Sequence, residues 1–73
     1  MPLPSFSNTS RGYAYKGTLY VGVFETDKDS ASYIARDARK AWQIGTRYFI
    51  TEDAATVRLL AKEMDETLTR VRI

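Results

Sequence analysis

With neither cysteine nor histidine in any of its 73 positions, the chain has no disulfide and no strong transition-metal ligand set with which to staple a small fold. Its stability must rest on apolar packing. A chain this short forms one domain, buries only about 60 to 65% of its unfolded surface, and rarely nets more than about 3 to 5 kcal/mol from its core. The same absence removes the side chains most used for proton transfer near neutral pH and for nucleophilic attack. Binding, without a cofactor, is the expectation.

The charge balance narrows the partners. Eleven Lys and Arg stand against nine Asp and Glu, a net of +2, which is too small for a dedicated nucleic-acid binder. The opening Met1-Pro2-Leu3-Pro4-Ser5 has no basic stretch followed by an apolar run, and no segment approaches the roughly 18 apolar residues of a membrane span. A soluble, cytoplasmic protein is expected.

Residues 1–10 carry both prolines and a Ser, Asn and Thr run, and read as a flexible arm ahead of one domain over 11–73. Thr18 to Phe24, rich in β-branched and aromatic residues, reads as the main strand. A turn at Lys16-Gly17 pairs it with a short strand at Tyr13 to Tyr15. Asp27 or Asp29 opens a first helix that runs to about Gln43. Its apolar stripe is Ala31, Ile34, Ala38, Ala41 and Trp42, its outer side holds Arg36, Asp37, Arg39, Lys40 and Gln43, and Gly45 caps it.

Thr46 to Thr51 reads as a second strand, and Thr51 with Glu52 and Asp53 starts a second helix. That helix buries Val57, Leu60, Ala61 and Met64, with Arg58 and Lys62 outward. From Thr67 to Ile73, Val71 and Ile73 alternate with Arg70 and Arg72, as in a half-buried last strand. The order is (β)βαβαβ, and the predicted fold is an α+β two-layer sandwich: a three- to four-stranded sheet with two helices on one face. The other face is left open. The main strand carries Leu19, Val21 and Val23 on one side and Tyr20 and Phe24 on the other, so the open face is expected to present aromatic surface to a partner.

Several patterns bear on chemistry. Arg11-Gly12-Tyr13-Ala14-Tyr15 matches the first five positions of the RNP1 pattern, whose aromatics stack on unpaired bases. Lys16 and Thr18 then stand where an apolar and an aromatic residue belong. Glu25, Asp27 and Asp29 resemble the start of a calcium loop, but the glycine is missing and Ala38 replaces the bidentate carboxylate. Acids at a helix start explain them as well. Neither Asp37 with Glu52 nor Glu25 with Asp29 shows any sign of sharing a desolvated pocket, so an enzyme is not expected. Trp42 reads as a core anchor. Arg36, Arg39 and Lys40 on the first helix, and Arg70 and Arg72 on the last strand, suit carboxylates on an acidic protein surface. The terminal strand offers an edge for strand addition, and its arginines serve equally as guards against it.

Taken whole, from Met1-Pro2-Leu3-Pro4-Ser5-Phe6-Ser7 to Thr69-Arg70-Val71-Arg72-Ile73, the chain resembles the small lytic-phage transcription regulators of the Xanthomonas-phage type. The resemblance lies in length and in a compact, cysteine-free make-up. It implies binding to the large subunits of host bacterial RNA polymerase, inhibition of transcription initiation and an effect on termination.

Two functions of different class follow. The first is a non-enzymatic protein-binding regulator whose contacts are Arg11, Tyr13, Tyr15, Lys16, Arg36, Arg39, Lys40, Arg70 and Arg72. The second is a single-stranded nucleic-acid binder using Tyr13 and Tyr15 with the basic residues. A homodimer closed through the open sheet face is a third arrangement.

Overall fold

Strands pair wherever turn chemistry and alternation let them, and the clearest case is the first hairpin. Lys16 and Gly17 both adopt positive φ, +48° and +83°, as a tight two-residue hairpin turn demands. The computed structural model describes residues 6–37 and 40–72 of the chain. Within them lie β1 (Phe6–Asn8), β2 (Gly12–Tyr15), β3 (Thr18–Val21), β4 (Phe24–Thr26), α1 (Lys28–Asp37), β5 (Ala41–Ile44), β6 (Arg47–Ile50), α2 (Ala54–Met64) and β7 (Leu68–Arg70). The class is α+β with two helices, as expected.

The strands form two antiparallel sheets, ordered β1-β2-β3 and β4-β6-β5-β7. Two sheets arise because the expected main strand breaks at Gly22. There φ is +81°, the amide donates to the Arg11 carbonyl at 3.0 Å, and the chain leaves one sheet for the other. Glycine alone enters that conformation without strain.

The arm expected over 1–10 is corrected from Phe6 onward, and residues 1–5 lie outside the described residues. Phe6–Asn8 pairs with β2, with Phe6 opposite Tyr15 and Asn8 opposite Tyr13. Thr9 makes the turn back: its amide and hydroxyl both donate to the Gly12 carbonyl, at 2.7 and 2.8 Å. Its hydroxyl oxygen in return accepts from the Gly12 amide at 3.1 Å.

The first helix ends at Asp37, and Ala41–Ile44 is a strand. Ala41 and Trp42 continue a helical stripe and equally begin a period-two alternation with Gln43 and Ile44. The ladders to β6 and β7 decide for the strand. Gly45 has its positive φ, +59°, in the β5–β6 hairpin turn and caps no helix. Asp27 is the residue that caps α1, accepting from the Ser30 amide at 2.7 Å. Asp53 caps α2 and lies outside it, accepting from the Thr56 amide at 3.1 Å while Thr51 Oγ1 accepts from the Asp53 amide at 2.9 Å.

In the four-stranded sheet β4 and β5 run parallel with β6 between them, and β6 and β7 run parallel with β5 between them. Both crossovers move the same way across the sheet from strands of opposite direction. Right-handed connections then place their helices on opposite faces. The side chains agree. Ala31 and Ala35 of α1 bury against Ala41, Tyr48 and Val71. Val57, Leu60 and Ala61 of α2 belong with Ile44, Phe49, Trp42 and Leu68 on the other face. Two helices on a single face is therefore corrected: the small sheet, not α1, shares the layer with α2.

That shared layer holds the main core. Tyr13 and Tyr20, in register across β2 and β3, point inward with Val23 and meet Phe49 and the α2 residues. The surface left bare differs from expectation as a result. Tyr20 is buried, while Leu19 and Val21, on the outer face of the three-stranded sheet, are 39% and 61% exposed.

Candidate partner-binding surface

Among the described residues the large exposed hydrophobics are Tyr33 on α1, Leu59 on α2, and Leu19 and Val21 on β3. The last two lie next to further apolar surface where β3 hands over to β4. Phe24 and Ile50 are opposite each other across β4 and β6, on the face that α1 covers. The small Ala31 and Ala35 seat α1 over Ala41 and Tyr48, so Phe24 and Ile50 are roofed only in part, by half-buried Ile34. Between them runs an open groove of about 400 Å³, lined also by Val21 and Gly22. Val21 joins it to Leu19 along β3, making one aliphatic strip. Apolar strips rimmed by polar groups are typical of protein-docking surfaces.

One end of the groove is ionic. Lys40, just before β5, pairs with Glu52, just after β6, and both are exposed. The Lys40 hydrogen bond and charge hold the Glu52 carboxyl below its usual range. Asp53 lies next to them, its carboxyl also lowered, by the hydrogen bonds from the Thr56 hydroxyl and amide that cap α2. Buried Thr51 completes this end.

The residues expected to bind are spread over several surfaces. Arg11 is exposed in the β1–β2 turn, its carbonyl bonded to Gly22 at the groove, and Lys40 lies at the ionic end. Arg36 is exposed on the last turn of α1, beside Tyr33 and Asp29. Arg70 is opposite Trp42 on β5 and places its guanidinium 5.7 Å from the centre of that ring, on the sheet face away from α1. Arg72 follows, exposed. Arg39 lies outside the described residues, as does Ala38.

Tyr13, expected as a contact, is not on the surface. Its ring is fully buried, edge-on to Phe49. Burial raises its pKa, the Glu25 carboxylate raises it further, and the charge and hydrogen bond of Arg47 oppose both. Arg47 in turn pairs with Glu25 at 3.1 Å. Tyr15 is half-buried against the core, and Lys16 places its ammonium 5.4 Å from the Tyr15 ring centre. The arrangement RNP1 needs, aromatics standing free on an open sheet, is absent at this pair.

The acids that resemble a calcium loop are placed apart in role. Glu25 pairs with Arg47, Asp27 caps α1, and Asp29 stands in its first turn. Trp42 is a core anchor as expected, though from a strand, with its indole N–H donating to the Thr51 carbonyl at 3.4 Å.

The groove residues Val21, Phe24, Ile34 and Ile50 were not among the expected contacts. The signal for them was Gly22, an isolated glycine in a strand pattern, which marks a break or bulge. Among the described residues no helix is long and apolar enough to cross a membrane. Compared with protein-family models, with curated proteins and with solved structures, the chain matches none.

Proposed function

We propose that the protein is a small non-enzymatic regulator that docks on a larger protein through the Leu19–Val21 strip and the groove beside it. The observation that carries this reading is Val21, 61% exposed at the lip of a groove floored by Phe24 and Ile50. Leaving such a strip in water is unfavourable by about 25 cal/mol per Å², and a partner that covers it recovers that energy. The partner we propose is the large subunits of host bacterial RNA polymerase, on the resemblance of the chain to small phage regulators. Inhibition of initiation follows from occupying a site or holding a mobile element in one state, with altered termination as the second consequence.

The test is capture from bacterial lysate with the tagged protein and its Val21→Asp variant, whose exposed position spares the core. Recovery of RNA polymerase subunits by the first and their loss with the second is the expected result. Recovery of nuclease-sensitive material alone overturns it.

A further inference from the structure

Asn8 does the work of a strand. Its Oδ1 accepts from the Glu25 amide at 2.7 Å and its Nδ2 donates to the Glu25 carbonyl at 2.8 Å, so one side chain supplies both hydrogen bonds that a neighbouring strand would make. Glu25 is the middle residue of β4, an outer strand of the four-stranded sheet, and Asn8 ends β1, an outer strand of the other. The carboxamide thus closes the seam between two sheet edges. Unpaired edges attract foreign strands, and this edge is masked by two exposed bonds from a single side chain.

We propose that Asn8 is a latch, and that β1 opens from the seam as a unit while the core stays folded. Three features favour local release. Among the described residues β1 spans three positions and pairs with β2 alone, so little ladder holds it there. The latch bonds are exposed to water, which replaces them on opening. The turn that follows, built on Thr9 and the Gly12 carbonyl, is self-contained and survives the opening as a pivot.

Opening uncovers the Glu25 backbone edge of the strand that carries Phe24, which lines the groove and stays paired with Ile50. The latch therefore controls access to a backbone edge next to the docking surface. This last consequence rests on the docking reading; the latch itself does not.

Amide hydrogen exchange on the full chain tests it, comparing wild type with Asn8→Ala and Asn8→Asp. In Asn8→Ala the amides of β1 and of Glu25 exchange about tenfold faster, the effect of losing two ordinary hydrogen bonds. Those of Ile44, Phe49 and Leu60 keep their wild-type protection. Asn8→Asp keeps an acceptor for the Glu25 amide but turns an oxygen toward the Glu25 carbonyl, and opens at least as far. Equal acceleration at the core amides would show that Asn8 acts only through global stability and overturns the latch, as does unchanged exchange at Glu25. Because the measurement needs no partner, a failed lysate capture leaves the latch standing, and a uniform exchange pattern sinks the latch without touching the docking reading.

Discussion

The ring of Tyr13 meets the ring of Phe49 edge-on, with centroids 4.9 Å apart and planes at 86°, and this contact ties the three-stranded sheet to the four-stranded one. Both rings are fully buried. Edge-to-face pairs add attraction between ring edge and ring face to ordinary area burial. Truncating Tyr13 to Ala leaves a cavity at the junction and costs about 3 to 5 kcal/mol, as much as a domain of this size has to lose. The variant is expected to be unfolded at room temperature. Tyr13→Phe keeps the ring contact and stays folded. Far-ultraviolet circular dichroism with urea titration reads both, and a wild-type midpoint for Tyr13→Ala would refute the assignment.

Gly12 and Gly17 predict opposite responses to a side chain. A Cβ on Gly12 would stand 2.2 Å from the Tyr20 carbonyl oxygen and 2.8 Å from the Val21 Cα, both backbone atoms of the paired strand. Gly12→Ala forces β2 and β3 apart and is expected to lower the melting temperature by well over ten degrees. Gly17, at φ +83°, has open space around it. Gly17→Asn, which tolerates positive φ, is expected within a few degrees of wild type. Thermal melts of the pair decide it, and equal losses would contradict the close approach at Gly12.

Acid and alkali destabilise the fold through different groups. Asp27 is held below its usual pKa chiefly by the Ser30 amide, Asp53 by the Thr56 hydroxyl and Glu52 by Lys40. A depressed carboxyl stabilises the folded state above its unfolded pKa, near 4, and that contribution disappears as pH falls through the lower folded value. Tyr13 and Tyr20 are raised, by burial first and by Glu25 and Glu63 next. Their contribution is complete below about 10, the unfolded tyrosine value, and is lost as pH climbs through the folded one. The double variant Asp27→Asn, Asp53→Asn keeps both caps. It is expected to flatten the acid limb of a melting-temperature profile and leave the alkaline limb unchanged; an unchanged acid limb excludes the caps as its source.

Stacking on single strands is closed to Tyr13 by its burial. Tyr15→Ala is accordingly expected to leave any weak, salt-dependent binding of an oligonucleotide where it was, measured by fluorescence anisotropy over a salt series. A loss of an order of magnitude, the worth of one stacked base, would reinstate the nucleic-acid reading.

Legibility in the sequence followed locality. The β2–β3 hairpin could be read because Lys16-Gly17 carries its own turn geometry. Helix α2 could be read because Val57, Leu60, Ala61 and Met64 keep helical spacing and Asp53 stands at its start. The segment Ala41–Ile44 could not, since four residues that suit either period are settled by ladders to β6 and β7 alone. Nor could the exposed strip proposed for docking. Leu19 and Val21 are indistinguishable in type from Val23, which is fully buried.

What the sequence by itself determined was a cysteine-free, histidine-free α+β domain with two helices, because composition and short-range periodicity act within a few residues of the chain. The tertiary structure alone decided that Gly22 divides the main strand between two sheets, that the helices take opposite faces, and that Tyr13 is core while Val21 is surface. Each of those depends on which side of a strand meets another element, and a strand pattern is the same whichever side that is.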